Sequence, residues 1–387
     1  MEVSKKSKAV TPFMAMDTLE RAKALERAGK RIIHFELGEP GFETPKVIAA
    51  AGIKAIQDGK TKYTHSLGTM ELREEICRHY KKAYRVTVEP ERVIVTNGSS
   101  AALFLAFASL LDKGDEVIMG DPHYACYPNY VAFLDGVPVF VPLSEGEGFR
   151  MSPQKTRAAI TKKTRGILIN SPCNPTGAVL GAADLKKIAA LGVTVVSDEV
   201  YHGLSYGARA RSILEFTDNA FVIDGFSKRY AMTGWRIGYA IAPREYMRPL
   251  QKLQQNFQIS PGAISQEAAL AALRKGGEPA EKMRREYEKR RETMVAGLKE
   301  IGFVIKAEPQ GAFYVFTSCE FLDGDSQRLS LRILEEAGVA VTPGVDFGKA
   351  GEGYLRFSYT ATVADIREGL KRLGEFVRRN SAQFGLI

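Results

Sequence analysis

Between about residues 90 and 245, short apolar runs recur, each closed by small or polar residues and followed by a stretch that reads as a helix. Val93-Ile94-Val95-Thr96, Glu116-Val117-Ile118-Met119, Ile167-Leu168-Ile169, Val193-Thr194-Val195-Val196, Phe221-Val222-Ile223 and Arg236 through Ile241 read as strands, most of them buried. This alternation predicts an α/β architecture, a mostly parallel sheet covered by helices. It also limits where chemistry can lie, because ligands of open α/β sheets sit at the carboxyl ends of the strands. At 387 residues the chain exceeds one typical core, so two domains or one large one are expected. A helix near 70–83 would carry Leu72, Ile76, Tyr80 and Ala83 on one stripe, and a long helix near 279–301 would lead out of the large domain. Beyond it Gly311–Phe316 and Tyr354–Ser358 read as strands of a smaller α+β domain, finished by a helix near 363–379. The N-terminal arm is expected to pack with that unit. The expected division is 46–285 for the large domain, with 1–45 and 286–387 forming the small one.

Several polar residues fall at strand ends. Lys228 follows the run Phe221-Val222-Ile223-Asp224, and Arg236 follows it eight residues later. A lysine at the mouth of a buried strand is poorly hydrated, which lowers its pKa and frees its amine for Schiff-base chemistry. An arginine nearby offers a planar fork suited to phosphate. Amine and phosphate clamp together are what pyridoxal phosphate requires; a surface lysine beside a salt-bridging arginine is the plain alternative. Asp198 and Tyr201 close the run from Val193. A carboxylate there can keep a pyridine nitrogen protonated, and Tyr201 can hydrogen-bond a phenolic ring oxygen, although Asp198 also suits a helix N-cap. Asn174 sits in a turn stiffened by Pro172 and Pro175, with a cis Asn174–Pro175 bond expected, and can aim at the same oxygen or serve the turn alone. After Gly98, Ser99 and Ser100 open a helix whose free amides suit an anion, or they simply cap it. Tyr124 can stack on a ring or only pack.

In order and spacing these motifs resemble the class I aminotransferases of the pyridoxal-phosphate fold type I superfamily, over nearly the full chain. The resemblance rests on Leu37-Gly38-Glu39-Pro40, Lys62-Tyr63-Thr64, Asn174-Pro175-Thr176-Gly177, Ser197 to Tyr201, Ser227-Lys228, Gly234-Trp235-Arg236 and Tyr354 to Ser358. It implies a large domain with a seven-stranded sheet of aspartate aminotransferase type. It further implies that Lys228 carries the Schiff base with pyridoxal 5'-phosphate and that Asp198 pairs with the ring nitrogen. Asn174 and Tyr201 would hold the phenolic oxygen, Tyr124 would stack on the ring, and Gly98, Ser99, Ser100 and Arg236 would hold the phosphate. Tyr63 would reach the phosphate of the other subunit's cofactor, which makes a homodimer the implied assembly. Arg356 and the Gly38 backbone, helped by Asn174, would grip the substrate α-carboxylate. One departure is Gly225, where many relatives carry a serine; phosphate binding would lean on Arg236 and the helix at Ser99, with Ser227 as a substitute.

With the carboxylate held by Arg356, the Cα–H bond of a bound amino acid faces the released Lys228 amine, which then acts as base. Transamination of an L-amino acid with a 2-oxo acid, 2-oxoglutarate or pyruvate, by a ping-pong mechanism is the expected reaction. Dicarboxylate-specific relatives need a cation for the distal carboxylate. One subgroup has a lysine where this chain has Ser100, another an arginine from the partner subunit, and the stretch Gln254–Pro261, a neighbour of the site by sequence, brings no charge. Arg209 or Arg211 remain candidates, so aspartate stays open beside a neutral, aromatic or broad donor. A carbon–sulfur β-lyase or cyclising synthase would use the same residues. A regulator's effector domain is disfavoured because the motifs begin by Leu37, leaving no room for a winged helix, and a nicotinamide dehydrogenase because no Gly-x-Gly-x-x-Gly follows a strand.

No run is long and apolar enough for a membrane span, and the charged start Met1–Lys8 lacks the apolar core of a secretory signal. Cys77, Cys126, Cys173 and Cys319 lack paired spacing and the histidines lack ligand spacing, so neither a disulfide framework nor a metal site is expected, and a reducing cytoplasm fits. The net charge of +9 raises nucleic acid as a partner. Its densest cluster, Arg284 to Arg291, is interleaved with acids on a helix whose apolar positions are Met283, Tyr287, Met294, Leu298 and Ile301. A solvated helix face explains it better, leaving a mildly positive field that attracts carboxylates and a phosphorylated cofactor.

Overall fold

The computed structural model describes residues 2–207 and 209–381. Strand β1 (Ile33–His34) lies in the N-terminal arm. Strands β2 (Val93–Thr96), β3 (Glu116–Asp121), β4 (Val137–Pro142), β5 (Thr164–Asn170), β6 (Thr194–Asp198), β7 (Ala220–Gly225) and β8 (Gly238–Ile241) form one seven-stranded sheet, ordered β2-β8-β7-β6-β5-β3-β4. Strands β3 to β7 pair in parallel, while β8 runs antiparallel to β7 and β2. The cause is local: the link 226–237 holds no α-helix, and a parallel return needs a crossover, usually a helix. That link carries Lys228.

The central strands are buried on both faces, which is why they read as continuous apolar runs. Ile94, Val117, Leu168, Val196 and Phe221 turn one way, against Leu103, Ala106 and Phe107 of the helix Ser99–Leu110. Val95, Ile118, Ile167, Val195 and Val222 turn the other way, into the main core. Each such side chain stabilises the fold by about 1.5–3 kcal/mol relative to exposure.

A second group of strands follows: β9 (Tyr314–Ser318), β10 (Val339–Ala340), β11 (Thr342–Pro343) and β12 (Tyr354–Ser358). Strand β12 lies between β11 and β9 in an antiparallel sheet, and β10 pairs in parallel with β1, joining the N-terminal arm to this unit. The strand expected at 311–316 begins only at Tyr314, because Ala312 takes a left-handed φ of 56°.

The helix expected near 70–83 is Met70–Tyr84, with Leu72, Ile76, Tyr80 and Tyr84 buried and Ala83 half-buried. The long helix is Gly277–Glu300, which runs unbroken through the expected boundary at 285/286, and the last is Val363–Ser381. Met1 and 382–387 of the expected small domain lie outside the described residues. The basic cluster differs from expectation at Arg290 and in part at Arg291, which is half-buried over the Tyr206 ring and donates to Pro309 O at 2.8 Å. Arg284 and Arg285 pair with Glu281 on the helix surface, but Arg290 is buried, stacked 4.4 Å from the Phe42 ring centroid and donating to Thr360 O. Among the described residues no helix is long and apolar enough to cross a membrane, and no cluster of His, Cys, Asp and Glu is arranged to hold a metal.

Candidate active site

A cavity of about 370 Å³ opens where β5, β6 and β7 end, within the range of small-molecule sites of about 300–1,000 Å³. Of the residues singled out in the sequence, Gly38, Ser99, Ser100, Tyr124, Asn174, Asp198, Tyr201, Lys228, Arg236 and Arg356 all line it. Gly98 stands just behind: it has φ +90°, and a Cβ there would meet Arg236 Nη2 at 2.5 Å, so only glycine lets the guanidinium lie so close to the helix start. Tyr63 is 84% exposed and does not line this cavity.

Lys228 donates from Nζ to Gly38 O at 2.7 Å. Burial lowers its pKa to about 8, with Arg356 and Arg236 pushing the same way and Glu39 and Asp198 opposing. About one amine in ten is therefore uncharged a pH unit below that value, far more than for a solvated lysine, as nucleophile and base chemistry require. Asp198, at the end of β6, accepts from Tyr127 Oη at 2.6 Å through Oδ2 and from Val200 N at 3.2 Å through Oδ1. Burial raises its pKa to about 6, and these bonds restrain the rise. The turn-capping alternative is thus half true: one oxygen serves the following turn, the other faces a tyrosine.

The serine-capping alternative is not what the helix Ser99–Leu110 does. Its N-cap is Gly98 and no side chain caps it, so its first amides point out with their partial positive charge. Arg236, at φ 50° and ψ 53°, donates from Nη1 to Thr233 O at 3.1 Å and borders the same corner.

Arg356, on β12, is 1% exposed and lies 4.4 Å from the Tyr314 ring centroid and 4.8 Å from that of Phe347. Its Nη1 donates to Asn174 Oδ1 at 2.9 Å, and its Nη2 donates to Thr342 Oγ1 at 3.1 Å and to Glu36 O. Among the described residues its Nε is buried without a partner, a state that costs about 1–3 kcal/mol for an ordinary polar group and more for a charged one. The Tyr201 hydroxyl meets that of Tyr314 at 2.8 Å. Peptide bonds Asp121–Pro122, Ser171–Pro172 and Asn174–Pro175 are cis.

Residues 30–373 match the family described as Aminotransferase class I and II. The chain belongs to that family. Aminotransferases of class I and II use pyridoxal 5'-phosphate, and this aminotransferase has the corresponding aspartate aminotransferase-like fold. Its relatives include the (5-formylfuran-3-yl)methyl phosphate transaminase of Methanocaldococcus jannaschii, 41% identical, covering 95% of this chain and 97% of the relative. A probable aspartate/prephenate aminotransferase of Aquifex aeolicus is 40% identical, covering 94% and 95%. Among solved structures, a double mutant of Thermus thermophilus aspartate aminotransferase superimposes with a TM-score of 0.93 at 36% identity, covering 97% of this chain and 99% of that one. A Methanococcus jannaschii protein described as similar in its active site to kynurenine aminotransferases gives 0.90 at 41%, covering 97% and 100%.

The donor set of this aminotransferase fits the cofactor. A buried acid, a buried amine and an uncapped helix start with an adjacent arginine match a ring nitrogen, an aldehyde and a phosphate, respectively. Sequence reasoning missed several residues of the cavity wall, three of which hydrogen-bond to the singled-out residues through their own side chains. Tyr127 holds Asp198 and lies three residues beyond the singled-out Tyr124. Asn170 ends β5 as Asp198 ends β6, so the strand-end rule could have found it; it donates to Asp198 O at 3.0 Å and accepts from Asn174 N at 2.8 Å. Tyr314 belongs to a stretch read as a strand, but nothing in the sequence said which face it takes. Two expectations are corrected. Neither Arg209 nor Arg211 lines the cavity, since Arg211 pairs with Glu215 at 2.6 Å and Arg209 lies over Tyr84. The stretch Gln254–Pro261 does not line it either: Gln254 donates to Val95 O, behind the sheet edge.

Proposed function

We propose that this pyridoxal-phosphate-dependent aminotransferase works on L-amino acids with apolar or aromatic side chains, passing the amino group to a 2-oxo acid such as 2-oxoglutarate or pyruvate. The observation that carries this reading is the composition of the cavity wall. Phe13, Met16, Leu19 and Leu37 supply an apolar side, and the lining cations, Lys228, Arg236 and Arg356, all have work at the reacting end. This chain offers no further cation there for a distal carboxylate. Names of relatives favour a second reading, aspartate as donor, which then needs a cation from a partner subunit.

When bound, pyridoxal phosphate supplies an aldehyde carbon that condenses with amines and a ring that withdraws electrons from the substrate Cα. The chain's own groups do the rest. Asp198, ionised against its raised pKa by Tyr127 and the Val200 amide, holds a proton on the ring nitrogen. Asn174 commits Oδ1 to Arg356 and so turns its Nδ2 donor, with the Tyr201 hydroxyl, to the phenolic oxygen. Gly98, Ser99, Ser100 and Arg236 take the phosphate, and Tyr124 covers the ring. Arg356, the Gly38 amide and Asn174 orient the substrate carboxylate. Lys228 Nζ, whose lowered pKa makes the free amine accessible near neutrality, would remove the Cα proton.

We assign 46–285 as the cofactor domain and 1–45 with 286–387 as the small domain. We further take the protein as a cytoplasmic homodimer in which the exposed Tyr63 reaches the neighbouring cofactor phosphate. Borohydride reduction followed by peptide mapping tests the site: the pyridoxyl tag belongs on Lys228, and a tag elsewhere sinks the assignment. Steady-state screening of phenylalanine, leucine, alanine and aspartate against both acceptors tests the donor class, with aspartate the best donor as the contrary result.

A further inference from the structure

A groove of about 730 Å³ opens between the helix Met70–Tyr84 and the residues Gly203, Ser205, Arg209 and Ala210. Its lining carries Arg78, His79, Lys82, Arg209, Arg229 and Arg274 against one carboxylate, Glu75. That carboxylate is already engaged by Arg78 at 2.8 Å and by Arg274 at 2.9 Å. Lys82, Arg209 and Arg229 form no ion pair among the described residues. Arg229 is the most recessed of them: it is half-buried, and its guanidinium lies 5.3 Å from the Tyr230 ring centroid. Its stem runs over Gly203, at φ +86°, where a Cβ would meet Arg229 Cδ at 2.8 Å, so glycine lets the stem lie this close to the backbone. Arg209 lies 5.2 Å from the Tyr84 ring centroid. His79 adds a neutral imidazole, since burial, then Arg229 and Lys82, lower its pKa to about 4.

Cations held together in a partly desolvated recess repel; the buried Asp224 offsets this at Arg229, and an anion seated among the cations relieves it at Lys82 and Arg209 as well. Guanidinium forks bind phosphate oxygens in pairs, and a lysine adds a point charge. We propose that this groove is a second ligand site, separate from the cofactor cavity, that takes a small molecule bearing a diphosphate group between Arg229, Arg209 and Lys82. Its three unpaired cations match the charge of that group.

Calorimetric titration of the cofactor-saturated full-length protein with sodium pyrophosphate, and separately with ADP, tests the assignment; saturation with cofactor keeps both ligands out of the phosphate corner at Arg236. The expected result is saturable binding at one site per chain. Lys82→Ala and Arg209→Ala should each weaken it by about tenfold. Lys187→Ala, at an exposed position away from the groove, should leave it unchanged. Tighter binding of ADP than of pyrophosphate supports the site with a nucleotide as its ligand, and equal binding supports it with the bare diphosphate. No saturable binding of either at millimolar concentration overturns the proposal. So does an undiminished affinity in the Lys82→Ala/Arg209→Ala double variant.

Discussion

Tyr127 donates to Asp198 Oδ2 at 2.6 Å, and this bond, with that from the Val200 amide, holds a buried carboxyl in a form its surroundings oppose. Burial alone raises Asp198, while both bonds favour the ionised group. The carboxylate proposed to partner the ring nitrogen is thus kept ionised in part by a tyrosine.

Tyr127→Phe should raise the Asp198 pKa above its present value of about 6. The acidic limb of the pH–kcat profile then moves to higher pH, and kcat near neutrality falls by about tenfold, the worth of one hydrogen bond to a charged group. Activity should recover in part on the alkaline side. An unshifted limb would show that Tyr127 only packs.

Arg356→Lys keeps the charge but loses the planar fork that reaches Asn174, Thr342 and the Glu36 carbonyl together. Losing two charge-assisted bonds is worth about 3–4 kcal/mol, so kcat/KM should fall by about a hundredfold to a thousandfold for every donor. A loss confined to one donor would argue against a grip on the shared α-carboxylate.

Gly38→Ala sets a methyl group 2.1 Å from the Tyr314 hydroxyl oxygen unless something moves. Tyr314 must then withdraw from Tyr201, its partner at 2.8 Å. Overpacking of this kind costs about 1–3 kcal/mol, measurable by denaturant unfolding, and kcat should drop with it. Retained activity with unchanged stability would mean the loop 37–39 relaxes freely.

Glu199 lies beside Asp198, buried, accepting from Ser197, Ser212 and the Ile213 amide. Burial raises its pKa from 4.5 to about 8. The folded chain therefore binds this proton more tightly than the unfolded one; the stability so gained is present below about pH 4.5 and lost as pH rises towards about 8. Glu199→Gln, neutral throughout, removes that slope. Urea unfolding of the cofactor-free protein at about pH 5 and about pH 8 should show the variant gaining on the parent at the higher pH.

Strands β5, β6 and β7 were legible because buried parallel strands leave unbroken apolar runs, and the residues that end them, Asn174 nearby, Asp198 and Lys228, inherit the ligand edge of the sheet. Contacts between distant segments left no such trace. Strands β1, β10 and β11, two residues each, are too short for any period to register. Arg290 was read as solvated because its own helix shows a charged face, whereas Phe42, which covers it, comes from the N-terminal arm. The apolar lining from Phe13, Met16 and Leu19 was likewise hidden, for a helix beginning at Met14 does not announce which cavity it will border.

Arg356 stands on β12, in the small antiparallel sheet, whereas Lys228 hangs from the end of β7 in the large one. A ligand gripped at both places becomes a strut between the two sheets, and its length is fixed by where they sit. Any movement of the small sheet against the large one would change the distance such a ligand has to bridge, so the packing between the sheets, rather than any single contact, sets that span.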